Sequence, residues 1–94
     1  MILFYQNGVE VDGMDFGITE IGKTNTIEVM IKNTYNDNIS LSNEYSLDKD
    51  VKILEYVKTL KPQEYGKVIL SFTPNLNRQE SLKKKQIGFK VVIG

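Results

Sequence analysis

The stretch LKPQEYGKVILSFTP, residues 60–74, decides the fold class. It opens on a turn signal, Lys61-Pro62-Gln63-Glu64. The residues after the turn alternate. Val68, Leu70 and Phe72 fall on one face of an extended chain, and Lys67, Ile69 and Ser71 on the other, because successive strand side chains point to opposite faces. Pro74 ends the run, since proline brings no N–H to a ladder. A strand that is apolar on one face needs a second layer to cover that face.

The other runs suit that second layer. Ile2, Leu3, Phe4 and Tyr5 form a short apolar segment, followed by Asn7-Gly8, a pair that favours the positive φ of a tight hairpin turn. Val9-Glu10-Val11 can therefore fold back on it. Asp12-Gly13 signals another turn, and after it Phe16, Ile18 and Ile21 are expected to point inward between bending glycines. Residues 26–33 alternate clearly, with Ile27, Val29 and Ile31 on one face. A polar turn over 33–38 leads to a strand with Ile39 and Leu41 inward, an alternation that Tyr45 and Leu47 continue. Residues 51–57 read as a strand or a two-turn helix, and β-branched content favours the strand. There Val51, Ile53 and Val57 share one face, which leaves Leu54 and Tyr56 facing out. Residues 75–85 read as a long polar hairpin loop. In the last run, 86–93, Ile87, Phe89, Val91 and Ile93 are expected inward.

Seven or so short strands with frequent turns predict an all-β protein, an antiparallel β-sandwich or small barrel. Ninety-four residues make one domain, with 1–13 an N-terminal hairpin or arm and 14–94 the core. Such a chain buries roughly 60–65% of its unfolded surface, enough for one core but not for a large ligand cavity as well. The initial methionine reads as the start of a complete small protein made in the cytosol. The first residues lack the length and basic flank of a secretory signal, and no apolar run reaches a membrane span.

Composition narrows the chemistry. Twelve basic and twelve acidic side chains cancel, which argues against nucleic acid or an anionic membrane as a general partner. Eleven of the basic residues are lysine; Arg78 alone offers a planar two-pronged donor. No cysteine and no histidine is present, so disulfides, thiolate ligands, cysteine nucleophiles and histidine bases are excluded. No phosphate-binding glycine loop appears. Asp48-Lys49-Asp50 with Glu44, and Asp12 with Asp15, lack the spacing of a calcium loop and read as solvated turns. No catalytic residue, cofactor or metal site is expected. Tyr35, Tyr45, Tyr56 and Tyr65 read as half-buried packing rather than a patch.

A resemblance joins several of these pieces. Asp15-Phe16-Gly17-Ile18-Thr19-Glu20-Ile21-Gly22-Lys23-Thr24 resembles the opening of immunoglobulin-like domains of the major-sperm-protein and ASH kind. The run Ile27 to Thr34 is similar to their second strand, which ends in asparagine. Leu60-Lys61-Pro62-Gln63-Glu64 resembles their L-x-P-G-E turn, with Gln63 in place of glycine, and the runs up to Pro74 and Gly94 resemble their later strands. The likeness spans about residues 15–94 and leaves the first hairpin outside the pattern. It implies an immunoglobulin-like sandwich of seven strands that binds proteins or builds assemblies, with no catalytic residues.

The expected function is accordingly structural. A small, neutral, cysteine-free domain of this type with an extra hairpin suits a phage virion, as a capsid decoration or a neck or tail subunit present in many copies. It would be made in the host cytoplasm and held by neighbouring capsid or tail proteins. The alternative is a cytoplasmic adaptor that docks a peptide or cytoskeletal partner. The candidate partner-binding residues are Ile2, Phe4 and Tyr5 of the hairpin, the outward pair Leu54 and Tyr56, and the basic run Lys83, Lys84 and Lys85.

Overall fold

The computed structural model describes residues 1–75 and 84–94. Among the described residues there are eight strands: β1 (Ile2–Gln6), β2 (Val9–Val11), β3 (Asn25–Asn33), β4 (Ile39–Ser46), β5 (Val51–Tyr56), β6 (Thr59–Leu60), β7 (Tyr65–Phe72) and β8 (Ile87–Ile93). All pairings are antiparallel, in a five-stranded sheet of order β2-β1-β3-β7-β5 and a three-stranded sheet of order β6-β4-β8. The two sheets face one another as a β-sandwich. Their inner faces supply the core, in which Val29 and Ile31 of β3, Ile39 and Leu41 of β4, and Val68, Leu70 and Phe72 of β7 are all buried.

Residues 65–72 behave as their alternation predicts, and β7 lies between β3 and β5. The turn before it shows why Gln63 can replace glycine. Glu64 N–H donates to Lys61 O at 3.0 Å, with Pro62 and then Gln63 at the two central positions. Gln63 sits at φ 66°, the left-handed conformation required at the third position of a type II turn. Asn33 buttresses this turn from below. It is wholly buried, and its amide donates to Asp37 O at 2.9 Å and Leu60 O at 3.2 Å while its Oδ1 accepts from Tyr35 N–H. Its backbone N–H donates to Glu64 O and its carbonyl accepts from Gln63 N–H.

The N-terminal hairpin forms as Asn7-Gly8 dictates, with φ 54° and 80° at the two turn residues and Gln6 opposite Val9. It is not an appended arm. β1 pairs with β3 over four residues, so the hairpin is one flank of the larger sheet. The chain then crosses between the sheets, where Met14 makes a two-way backbone bridge with Lys85 ahead of β8.

Several expectations from alternation fail, and two β-bulges explain most of them. In β4 the register slips between Ser42 and Tyr45, where Asn43 takes φ 50°. One extra residue reverses which side chains face in, so Tyr45 and Leu47 point out instead of continuing the inward row. The Tyr45 ring lies against Gly88, directly across the ladder. In β5 the extra residue is Leu54, between Ile53 opposite Leu70 and Glu55 opposite Ile69. Residues 51–56 are thus a strand, and the bulge turns Tyr56 inward opposite Val68. Ile18 and Ile21 are exposed rather than inward, because Gly17 at φ 71° turns the chain away from the core after buried Phe16. The loop expected over 75–85 lies mostly outside the described residues, and β7 and β8, which flank it, belong to different sheets and do not pair as a hairpin.

Candidate interaction surfaces

Of the eight side chains singled out from the sequence, the seven that are described do not form one site. Ile2 and Phe4 point into the sandwich and pack against the core, Phe4 stacking with Phe89 at 6.4 Å. Tyr5 lies on the outer face of the same strand, edge-on to Tyr65 at 5.5 Å. Loss of solvent, followed by the neighbouring Tyr65, raises the Tyr5 hydroxyl pKa above its ordinary value against the lowering effect of Lys32. Leu54 is 57% exposed on the β5 bulge, at the opposite edge of the sheet from the hairpin. Tyr56 does not join it in an outward patch: its ring packs on Phe89 at 4.8 Å, under the Lys58 ammonium, and its hydroxyl donates to Glu44 at 2.9 Å. Lys83 lies outside the described residues.

The basic run also divides. Lys84 is exposed, but Lys85 is buried and ion-paired with Asp48 at 2.7 Å, over the Phe72 ring. The side chains are 3% and 22% exposed, so the ammonium is cut off from water while the carboxylate keeps a wet side. Burial alone would raise the Asp48 carboxyl, but the Lys85 hydrogen bond and the Asp50 N–H outweigh it and hold the pKa below the usual value. The Asp48 turn is therefore an internal latch. Among the described residues no three or more carboxylates gather where a metal ion could sit.

That latch lies at the end of the sandwich where several connections meet. Leu47 N–H donates to Gln86 O, Thr73 N–H to Asp50 O, and Gly22 N–H to Pro74 O. Thr24 and Thr73 share a hydroxyl hydrogen bond at 2.8 Å. These bonds tie the connections together, and aliphatic side chains beside them face solvent: Ile18 is 92% exposed and Leu47 is 71% exposed, with Ile21 also exposed. Sequence alternation missed these residues because it assigned them inward. The one local signal is Gly17, a residue that permits the chain to leave the strand direction.

A second surface is the flank formed by β1 and β8. Ile2, Phe4, Phe89 and Val91 are only partly buried although all four face the core, and Ile93, on the same face of β8, is 50% exposed. The corresponding residues of central β4, Ile39 and Leu41, are buried. One side of the sandwich is thus incompletely covered. The described residues contain no helix, hence none long and apolar enough to cross a membrane. Comparison with protein-family models, with curated proteins and with solved structures gave no match.

Proposed function

We propose that this protein is a non-enzymatic assembly component, a phage virion subunit of the capsid surface or of the neck or tail, held by neighbouring proteins through loops and a sheet flank. The observation that carries this reading is the set of aliphatic side chains offered to solvent, Ile18 and Leu47 at one end and Ile93 on the flank. Exposed apolar groups on a well-bonded frame suit burial against another protein. Weak contacts of this size hold when many copies act together in a symmetric shell. The virion assignment further draws on the likeness to small immunoglobulin-like domains and on the neutral charge and lack of cysteine.

A second reading, an adaptor of the major-sperm-protein or ASH type, is favoured by the order of the five motifs and by the turn geometry at Pro62 and Gln63. Mass spectrometry of purified particles from the source separates the two. The virion reading expects the chain in the particles in many copies, and its absence there removes that reading. Ile18→Asp combined with Leu47→Asp should then lower incorporation while leaving the thermal unfolding of the free chain unchanged.

A further inference from the structure

We infer that the outer edge of β8 is a strand-acceptor site, which takes an extended polypeptide segment donated by a neighbouring protein. This deepens the assembly reading and rests on it. Backbone direction decides which groups of β8 are open. Leu41 N–H donates away from β8, to Lys58 O beside β6, whereas Gly94 N–H donates to Asn38 O and Leu47 N–H to Gln86 O. In an antiparallel ladder the groups alternate sides. Gly88, Lys90 and Val92 therefore bond to β4, opposite Tyr45, Ser42 and Ser40. Phe89, Val91 and Ile93 direct their N–H and C=O groups the other way, where no strand lies among the described residues. Further back along the same edge, Lys85 is already bridged by Met14, so the open part is the later half of β8.

The side chains specify the same occupant. The sheets are unequal, five strands against three, a difference of about 10 Å at the usual strand spacing. β5 leads through two residues into β6, which holds the two sheets level on that side and leaves the surplus, β1 and β2, overhanging β8. A strand added beside β8 would lie beneath this overhang. Its backbone would pair with Phe89, Val91 and Ile93, and every second side chain would meet the half-covered Ile2 and Phe4. The occupant is thus an extended segment with apolar residues at alternate positions. A second copy pairing β8 to β8 would bring its own overhang into the same space.

The other edges are closed to this kind of pairing. β6 has two residues and β2 three, and β5 carries the Leu54 bulge and the charged Lys52 and Glu55. These are the usual guards of an edge strand. β8 has seven residues, no proline and no extra residue, and its single charge, Lys90, points to the outer face.

The test uses the full chain and a synthetic ten-residue peptide alternating valine with threonine, with a peptide of the same composition whose valines are contiguous as control. Nuclear magnetic resonance titration should move the amide signals of Phe89, Val91 and Ile93 with the alternating peptide, and bind it at least tenfold more tightly than the control. Val91→Pro removes an N–H that β4 does not use, so it should keep a cooperative unfolding transition yet weaken binding at least tenfold. Lys90→Glu, on the outer face, should alter binding less than threefold. Shifts confined to other residues, equal binding of the two peptides, or undiminished binding by a folded Val91→Pro chain each overturn the inference. Absence of peptide binding also overturns it, whereas particle composition bears separately on the virion reading.

Discussion

Asn33 and the Asp48–Lys85 pair show what single side chains contribute. Asn33→Ala would leave the Leu60 and Asp37 carbonyls and the Tyr35 N–H without their partner in a dry site, and should cost roughly 3 kcal/mol in chemical denaturation. The ion pair should respond unequally. Asp48→Ala takes from the buried ammonium its 2.7 Å carboxylate partner and is expected to cost about 2 kcal/mol. Lys85→Met leaves a carboxylate that water can reach and should cost less than half as much. The depressed Asp48 and Glu44 pKa values fix the sign of the pH dependence. The unfolded chain takes up protons first as pH falls, so stability present above about pH 4 is lost below it. Stability measured from pH 6 down to pH 2 should stay level at first and then fall, and more shallowly in Asp48→Asn. Of these features the sequence exposes little. Asn33 reads as a turn residue and Lys85 as one of three solvated lysines, because burial of a polar group depends on partners distant in the chain.

At the level of elements, alternation located nearly every strand and then lost phase within two of them. The β7 stretch, β3 and the Asn7-Gly8 hairpin were legible because each carries its own signal, period-two apolar residues or a turn pair with positive φ. The bulges at Asn43 and Leu54 carry weak signals or none. Asn43 tolerates φ 50° and could be suspected, but nothing distinguishes Leu54 from an ordinary strand leucine. Each bulge reverses the facing of the residues beyond it, which is why Tyr56 is inward and Leu47 outward. The passage from β5 to β6 depends on Gly66, since a Cβ there would collide with the Val57 side chain at its branch point. Gly66→Ala should therefore cost about 1–3 kcal/mol by overpacking. At Gly88 the clash is with the far end of the half-exposed Tyr45 ring, and Gly88→Ala should cost less, a contrast that thermal unfolding of the two variants would measure.

The whole molecule is a sandwich of five strands against three, in which the inward residues of β1 and of the later half of β8 are only partly buried. Sequence reasoning reached the all-β class and the presence of two sheets, since the count and length of apolar alternating runs require them. It could not reach the unequal division into five and three strands, which depends on long-range pairings such as β1 with β3. That inequality leaves the later half of β8 with no strand beside it among the described residues. Amide hydrogen exchange, compared between the free chain and the chain bound to the alternating peptide, tests the open edge of β8 most directly. In the free chain the amides of Phe89, Val91 and Ile93 should exchange rapidly while those of Val68 and Leu70 are slow, and on peptide binding the first three should slow by at least tenfold. Equal exchange at Phe89, Val91 and Ile93 in the two states would contradict the account.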